Sequence, residues 1–553
     1  MKDRTTLNLA GVNVLVGANS AGKSSVLHSV LLIAQTLANP LIDRPLVLNG
    51  HLVRLGLADD VLHVSGDRNL EIGFDLVPTV EFTAPGAPKR DFDRLSLSAS
   101  FGPTNDNDFS VVATEVTAEA GDESASIAMR ARNKSETRRA LIEAGLLPDV
   151  ADRWLPSGLL DVEGDVASNS VGVLMRQFLP SDVWRVANAV ENQLTTMRFL
   201  ITRYELDPEN PWPNIRTFVL EPETVTFIRR YVQETLGTQE AATIIDADKL
   251  DALTLIPAVS APVRQLLSNS SGNAWYVEHQ REMPFVGTGE SAGLPGNMSA
   301  GLDYARRWFA ENVFHLGPLR AAPQPLYELP LAMSTTSVGR NGEFTAAVLS
   351  AQVNRYVISP SPNGGAGRRK RLGDAVNEWV SEMNLLSSVH SKEQGKLGYE
   401  LHVAIEGVTR DLDLTTVGVG VSQALPIIVL GLIADPGSLL LFEQPELHLH
   451  PDVQAALGDF FLALARTGRQ LIIETHSEYL VNRLRRRAAA EPDSDVTRQV
   501  RLFFFERDGA SSTVGAHQIG AGGAMVGWPQ GFLDTASREV EAIARADQKR
   551  SAG

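Results

Sequence analysis

The 553-residue sequence contains no cysteine, which excludes disulfide bonds, thiol nucleophiles and cysteine metal clusters. Long apolar runs are missing as well. The most apolar stretch, residues 424–434, is cut by Asp435 and Pro436 and is too short to cross a bilayer. The first 15 residues lack an apolar region of signal-peptide length. We therefore predict a cytoplasmic protein without membrane contact.

The chain has no net positive charge either, since it contains 50 Lys and Arg and 66 Asp and Glu, which gives a formal net charge of −16. This balance disfavours a surface that binds nucleic acid throughout, but two basic runs remain. Residues 483–487 close a predicted helix, where cations stabilise the C-terminus. The other run follows a loop rich in Gly, Pro and Ser and is the candidate DNA contact; its members are Arg368, Arg369, Lys370 and Arg371.

The clearest motif that is present is G-x-x-x-x-G-K-S, directly after the apolar run 12–16. A strand that ends in glycine and turns into a helix directs backbone N–H groups and a helix dipole at one point, which suits a polyphosphate. Lys23 would reach the β- and γ-phosphates, and the Ser24 hydroxyl would bind Mg²⁺. A plain Gly/Ser turn is the alternative, but every fixed position matches. We predict ATP and Mg²⁺ as cofactors, bound by Gly17, Asn19, Ser20, Ala21, Gly22, Lys23, Ser24 and Ser25.

Three further motifs lie near the other end of the chain, in the order V-G-V-G-V-S-Q (417–423), L-L-L-F-E-Q-P-E-L-H-L-H-P (439–451) and L-I-I-E-T-H-S (471–477). Glu443 closes an apolar run, the kind of strand that presents a carboxylate to Mg²⁺. A compact nucleotide fold does not need so long a separation from Lys23. The order of motifs favours a nucleotide-binding core that is split between the two ends of the chain.

This set of motifs resembles the ABC-type ATPase heads of the structural-maintenance-of-chromosomes, Rad-fifty and overcoming-lysogenization-defect (OLD) families. The closest resemblance is to short bacterial OLD-like ATPases without a nuclease domain, over roughly residues 1–60 and 310–535. The resemblance implies an α/β fold: a split P-loop head with a mixed sheet, flanking helices and an antiparallel β lobe. It does not cover the middle of the chain.

The sequence departs from these heads at the catalytic pair. They usually read Asp-Glu-Pro, with the Asp for Mg²⁺ and the Glu for the attacking water, whereas this chain reads Glu443-Gln444-Pro445-Glu446. Glu443 still suits the metal, but the amide of Gln444 cannot accept a proton as a general base. An amide can orient a water, and Glu446 is a nearby carboxylate. We predict slow hydrolysis with Lys23, Glu443, Gln444, Glu446 and His476 as catalytic residues, and Ser24 and Glu443 as metal ligands.

The other motifs have both functional and structural interpretations. Ser422 is a predicted N-cap for a helix over 423–434, and the resemblance implies that Gly420 and Ser422 bind the γ-phosphate of an opposite subunit, which requires a homodimer or a higher even-numbered oligomer. His476 would contact the γ-phosphate. His448 and His450 suggest either a metal pair or the loop that these heads carry here; we favour the loop, because no third ligand is evident.

The pattern of apolar and polar residues changes twice in the middle of the chain. Alternating runs between residues 69 and 130 predict an antiparallel meander. Residues 135–270 read as helices, including 171–178, 183–199, 225–236 and 262–267, with no sustained heptad. We therefore predict an N-terminal half-head with a β lobe (1–130), an inserted helical domain (131–300) and a C-terminal half-head (301–553). Arg320 is either a helper cation near the nucleotide or a solvated side chain.

Three functions follow as hypotheses. The resemblance implies an ATP-gated dimeric switch, the sensor or regulator of a bacterial anti-phage defence system with a separately encoded effector; the 77 residues after His476 are too few for an OLD-type nuclease. The neutral Gln444 motivates a second hypothesis, a catalytically silent ATP-binding scaffold. A third is a DNA-end-binding repair ATPase that uses the basic run at 368–371.

Overall fold

The structure is a computed structural model, and it describes residues 4–41, 44–62, 68–78, 92–131, 134–143, 159–164, 170–208, 217–244, 250–269, 287–291, 293–327, 337–362, 364–490, 496–509, 511–525, 527 and 535–551. The strands of these residues, in chain order, are β1 Val12–Gly17, β2 Leu70–Leu76, β3 Arg94–Pro103, β4 Phe109–Ala120, β5 Glu123–Ala131, β6 Leu159–Gly164, β7 Ser170–Arg176, β8 Leu179–Asn188, β9 Val219–Leu220, β10 Leu250–Asp251, β11 Gly287–Ser291, β12 Val313–Leu316, β13 Tyr356–Ser359, β14 Arg368–Arg371, β15 Ser388–Glu393, β16 Tyr399–Ala404, β17 Leu412–Asp413, β18 Leu439–Glu443, β19 Gln470–Glu474, β20 Val500–Asp508 and β21 Ser511–Gln518. The helices are α1 Lys23–Ala38, α2 Ala58–Val61, α3 Lys134–Glu143, α4 Ala189–Leu206, α5 Pro222–Leu236, α6 Thr238–Ala241, α7 Ala252–Ala258, α8 Ala261–Ser268, α9 Gly296–Glu311, α10 Thr345–Gln352, α11 Leu372–Glu382, α12 Val419–Ile433, α13 Pro451–Arg466, α14 Glu478–Ala490, α15 Val496–Gln499 and α16 Thr535–Ser551.

The sheet that carries the sequence motifs has six strands in the spatial order β12-β18-β19-β1-β20-β21. Strand β1 pairs in parallel with β19 on one side and with β20 on the other. β12, β18 and β19 are also parallel, and only the edge strand β21 runs antiparallel. The two ends of the chain therefore build one sheet, which confirms the predicted mixed α/β fold with a split core.

Both faces of this sheet are buried, because its strands alternate their apolar side chains between two cores. Val14 and Phe442 lie in a core shared with helices α12 and α13. Leu15 and Leu441 lie in a second core, which includes α1 and α9. The near-continuous apolar runs noted in the sequence are thus explained by burial on both faces.

An eight-stranded antiparallel sheet, in the order β11-β8-β7-β6-β5-β4-β3-β2, forms the β lobe. Strands β2 to β5 lie where the meander was predicted. Their apolar side chains, such as Leu97 and Val116, join the same core as α1. The lobe therefore packs against the side of the head that carries the phosphate-binding helix.

The prediction of helix throughout the middle of the chain is wrong in part. Residues 171–178 were predicted to be helical, but β7 covers Ser170–Arg176 and pairs with β8. Helix was also predicted from residue 183, where β8 continues to Asn188. Short apolar runs do not distinguish a buried strand from a helix, and here pairing with the lobe stabilises the strand. The division at residues 130 and 300 stays a prediction, although β6 to β8 extend the sheet of β2 to β5 across the first boundary.

Helices do form the part of the insertion between residues 189 and 268, where α4 to α8 enclose their own core. The predicted helices at 225–236 and 262–267 correspond to α5 and α8. Farther along, α9 spans Gly296–Glu311 and leads into β12. None of the helices in the described ranges combines the length and apolarity that a bilayer crossing requires.

Helices α12 and α13 cross at Gly431, where an added Cβ would lie 2.7 Å from Cδ1 of Leu464 and 2.8 Å from Cζ of Phe460. We expect Gly431→Val to lower the free energy of unfolding by about 1–3 kcal/mol, because overpacking forces the helices apart. Urea denaturation of both proteins measures this. Gly296→Val is the matched control, since a Cβ at Gly296 meets no atom within 4 Å; equal losses for both variants would contradict the close crossing.

Candidate nucleotide-binding site

The phosphate-binding loop lies between the end of β1 and the start of α1. Gly22 caps α1 with φ of 94°, and Gly17 has φ of 140°, so both occupy backbone conformations that favour glycine. A Cβ at Gly17 would also lie 2.2 Å from the carbonyl oxygen of Phe505 on β20. The two glycines of the motif are therefore required by the fold as well as by a ligand.

A cavity of about 260 Å³ opens at this loop. Its lining combines loop residues with side chains from α1 and β19: Asn19, Ser20, Gly22, Lys23, Ser24, Ser25, His28 and Glu474. Six of these residues were predicted from the motif. Of the other predicted loop residues, Ala21 is fully buried in the core beside α1, and Gly17 lies beneath the cavity, where its carbonyl oxygen accepts a bond from Lys23.

The Lys23 ammonium is folded back onto its own loop. Its Nζ donates to the carbonyl oxygens of Gly17 at 3.1 Å and Ala18 at 2.8 Å. Burial lowers the pKa of Lys23, and the charge of Glu474 acts in the opposite direction. Within the described ranges this buried cation has two carbonyl partners, and it is suited to an anionic ligand that shares the cavity.

Glu474, which the sequence reasoning missed, is the acidic side chain in this cavity. Ser24 Oγ donates to Glu474 Oε2 at 2.9 Å, although the two residues are 450 positions apart. Burial raises the pKa of Glu474; Ser24 and Lys23 counteract this, while the charges of Glu443 and Glu446 add to it. Its position just before the Thr475-His476-Ser477 segment, at the end of an apolar strand, was the available signal.

Glu443 ends the neighbouring strand β18, in register with Glu474. Its Oε1 lies 2.7 Å from Nε2 of the buried His315 on β12. Although burial favours the protonated form, the hydrogen bond to His315 and the charges of His315, His28 and Arg340 hold the pKa of Glu443 below its usual value. The predicted metal carboxylate is therefore ionised and already has a basic partner.

The turn after β18 is fixed by its backbone. Gln444 has φ of 42°, and its N–H donates to the carbonyl oxygen of Glu474 at 2.7 Å. Arg320 donates to the carbonyl oxygens of Gln444 at 2.8 Å and Glu443 at 3.1 Å. Burial lowers the pKa of Arg320 to about 10. Arg320 is thus not a solvated side chain; it holds the segment that presents Glu443 and Gln444.

Glu446 and His476 meet at the same edge of the sheet. The backbone N–H of His476 donates to Glu446 Oε1 at 2.7 Å, while Glu446 Oε2 is buried and has no hydrogen-bond partner in the described part of the chain. Burial lowers the pKa of His476, and the charge of Lys23 lowers it further. His476 is exposed as a whole residue, so this burial is only partial. The charges of Glu446 and Lys23 therefore both act on His476.

The motif at residues 417–423, here called the signature segment, differs from its prediction in one respect. Ser422 is not the N-cap: α12 begins three residues earlier, at Val419, and Gly418 occupies the cap without a side-chain hydrogen bond. Ser422 lies inside the first turn, where its Oγ donates to the carbonyl oxygen of Val419 at 2.7 Å. The N–H of Val421 already donates to the carbonyl oxygen of Gly418 at 3.1 Å. Neither Gly420 nor Ser422 is among the residues that line the cavity of their own chain.

The histidines after β18 have different surroundings. His450 caps α13, and its Nδ1 accepts from the N–H of Asp452 at 3.3 Å. His448 is exposed, with φ of 60°, and its carbonyl oxygen would lie 3.3 Å from a Cβ on Gly420. The segment is thus a loop packed against the start of α12, and the loop interpretation accounts for both residues.

The basic run 368–371 forms strand β14, which pairs antiparallel with β13. Arg368, Arg369 and Arg371 are exposed. The Arg369 guanidinium lies 4.8 Å from the ring centroid of Tyr356, and Lys370 forms an ion pair with Glu378 at 2.6 Å. The run is therefore a short exposed hairpin strand rather than part of the preceding loop.

Residues 369–481 match the family model described as AAA ATPase domain. The match covers about a fifth of the chain and includes α12, β18, the Glu443–Glu446 segment, β19 and His476. This part of the chain is similar to an AAA ATPase domain, and together with the phosphate-binding loop and the split sheet it supports a P-loop ATPase. No curated protein matches the sequence significantly.

Solved structures that align with the chain include two Smc head domains. One, from Pyrococcus furiosus, has an extended coiled coil and is bound to the C-terminal domain of ScpA; it is 10% identical, and the alignment covers 97% of this chain and 93% of that chain with a TM-score of 0.25. The other, from Pyrococcus yayanosii, has a coiled coil and joint; it is 10% identical, with 92% of each chain covered and a TM-score of 0.28.

Proposed function

We propose that this protein is an ABC-type ATPase that binds Mg-ATP, hydrolyses it slowly and acts as an ATP-gated dimeric switch. The observation that carries the proposal is the cavity at the phosphate-binding loop, in which Lys23 and Ser24 from one end of the chain face Glu474 from the other. A ligand in this cavity would contact residues from both halves of the split core. Binding of the ligand can therefore change the conformation of either half.

Binding is assigned to the loop and to α1. Lys23 exchanges its two carbonyl partners for phosphate oxygens, and the loop N–H groups and the α1 dipole stabilise the remaining negative charge. The oxygen donors of Ser24 and Glu443 fit Mg²⁺, which prefers hard oxygen ligands. When bound, Mg²⁺ supplies charge neutralisation between the β- and γ-phosphates.

Hydrolysis is assigned to the residues after β18. One carboxylate oxygen of Glu446 accepts the N–H of His476, and the other is buried without a partner in the described residues. We assign this carboxylate as the group that accepts the proton of an attacking water. Gln444 can orient that water but cannot take its proton. His476, which lies in the field of Lys23, is the candidate contact to the γ-phosphate.

Dimerisation is supported by the signature segment. The start of α12 is exposed at Gly418 and Val419, and its first N–H groups have no side-chain cap. A helix N-terminus of this kind is complementary to a phosphate. Gly420 and Ser422 do not line the cavity of their own chain. Following the resemblance to these heads, we assign them to the γ-phosphate of a second copy, which gives two ATP sites per dimer.

The proposed biological role is that of sensor or regulator in a bacterial anti-phage defence system, with a separately encoded effector. The resemblance of the motifs to short OLD-like ATPases supports this role. The test is co-expression with the product of an adjacent gene: ATP-dependent co-purification and reduced phage plating are expected. Full protection by a Lys23→Ala variant would contradict an ATP-gated regulator.

The switch is tested by measuring mass in solution with and without Mg-ATP, together with phosphate release over hours. We expect a monomer that becomes a dimer with Mg-ATP, and release that is slow for wild type. We expect Gln444→Glu to release phosphate about 10- to 100-fold faster, because it restores a carboxylate where these heads have one. Gln265→Glu, at an exposed position on α8, is the matched control.

The alternatives predict different results from the same experiment. Tight ATP binding without phosphate release, in wild type and in Gln444→Glu, would identify a silent scaffold. The repair hypothesis is motivated by the exposed β14 arginines and by the guanidinium of Arg369 over Tyr356. It requires phosphate release that is stimulated by DNA ends and that falls steeply as salt increases.

A further inference from the structure

We infer that Glu474 is a carboxylate of the metal site and that it makes nucleotide binding dependent on Mg²⁺. The inference rests on the proposed ATP-binding function and extends it to a residue of the 471–477 motif that was not predicted to bind metal or nucleotide. Glu474 ends β19, pairs in register with Leu15 of β1 and with Glu443 of β18, and lines the phosphate cavity. It is 6% exposed, so its charge is little screened by solvent.

The donor atoms around Ser24 fit a divalent metal ion. The hydroxyl of Ser24 has one proton, which it donates to Glu474 Oε2 at 2.9 Å. Its lone pairs are consequently left for another partner, and both residues line the same cavity. A hydroxyl oxygen and a carboxylate oxygen in hydrogen-bond contact are the donor pair that a hard divalent cation prefers.

The charges around the two adjacent carboxylates differ. Glu443 is bound to His315 at 2.7 Å and lies in the field of His28 and Arg340. The only cation that acts on Glu474 among the described residues is Lys23, whose Nζ is already bound to two loop carbonyls. Glu474 therefore has fewer nearby positive charges than Glu443, and an added cation would be attracted mainly to Glu474.

A consequence follows for the ligand. ATP without a metal carries three to four negative charges, and its phosphates would share the cavity with the buried Glu474 carboxylate. Lys23 cannot neutralise both groups. Ser24 and Glu474 would hold Mg²⁺, whose charge would offset this repulsion. Glu474 would therefore exclude metal-free nucleotide and admit the Mg complex.

The experiment measures the affinity of the full-length protein for a fluorescent ATP analogue in Mg²⁺ and in EDTA. For wild type we expect a loss of about 100-fold or more in EDTA, equivalent to about 3 kcal/mol. For Glu474→Gln we expect the two affinities to agree within about 5-fold, since the amide removes the repulsion and weakens the metal site. A Mg²⁺ dependence in Glu474→Gln equal to that of wild type would overturn the inference.

Controls separate this inference from the proposed function and from misfolding. Glu393→Gln, at an exposed position on β15, should keep the wild-type dependence. Thermal melting checks the fold, and Glu474→Thr, a second neutral β-compatible variant, should repeat the Gln result. If wild type does not bind Mg-ATP, the proposed function fails; if wild type binds it but Glu474→Gln keeps the full Mg²⁺ dependence, only the role of Glu474 fails.

Electron paramagnetic resonance with Mn²⁺ gives a second readout. In the presence of ATP, wild type should bind Mn²⁺ with higher affinity than Glu474→Gln by about 10-fold or more, because one anionic ligand is lost. Glu443→Gln shows whether the neighbouring carboxylate contributes equally. A reduction in Mn²⁺ affinity for Glu443→Gln alone would assign the metal to Glu443 and contradict the inference.

Discussion

Replacing Lys23 with alanine is expected to weaken ATP binding by about 100-fold or more and to abolish phosphate release. Each charge-assisted hydrogen bond to a phosphate contributes about 1.5–3 kcal/mol, and Lys23 can form two when it leaves the carbonyl oxygens of Gly17 and Ala18. Alanine is compatible with the first turn of α1, so the helix should persist. Isothermal titration calorimetry with Mg-ATP measures the loss directly.

Lys392→Ala is the matched control, since it removes one lysine from an exposed position on β15. It should leave affinity and phosphate release unchanged. The thermal midpoints of both variants should lie close to that of wild type in the absence of nucleotide. Wild-type affinity in a folded Lys23→Ala protein would contradict the assignment of the cavity to phosphate.

Replacing Arg469 with methionine is expected to lower the free energy of unfolding by about 2–5 kcal/mol, since each buried carbonyl that loses its partner costs about 1–3 kcal/mol. Arg469 is 1% exposed. It donates to the carbonyl oxygens of Ala434 at 2.7 Å, Ile358 at 3.0 Å and Leu432 at 3.4 Å, and to the hydroxyl of Thr467. It therefore links the end of α12 to β13 and to the start of β19.

Urea denaturation measures this loss, and Arg410→Met, at an exposed position, is the control for loss of charge. Burial lowers the pKa of Arg469 to about 10, so the group is still charged at neutral pH and its carbonyl partners compensate its desolvation. We expect Arg410→Met to change stability by less than about 0.5 kcal/mol. Similar losses for the two variants would show that the buried carbonyls find other partners.

Several features of this protein could be predicted from its sequence because local chemistry determines them. The phosphate-binding loop needs glycine at two fixed positions, a lysine and a serine, and all four lie within the short segment 17–24. The antiparallel strands β2 to β5 follow from alternating apolar residues and the turns between them. The strand at Glu443 agrees with a run of four apolar residues, a pattern typical of a strand that is buried on both faces.

Other features could not be predicted from the sequence. The apolar run at residues 171–175 suits either helix or strand, and its pairing with β8 made it a strand. Ser422 is a good cap residue, but the helix starts at Val419, and the Ser422 hydroxyl donates to the carbonyl oxygen of Val419 instead of capping the helix. Both errors concern local preferences that tertiary contacts override.

The sequence by itself determined the phosphate-binding loop, the order of the motifs and the split of the core between the two ends of the chain. Only the tertiary structure decided which carboxylate faces the loop. It placed Glu474 at 2.9 Å from Ser24 and paired Glu443 with His315. The physical reason is that strand order and burial set the partners and the charge environment of each carboxylate, and both depend on contacts between residues hundreds of positions apart.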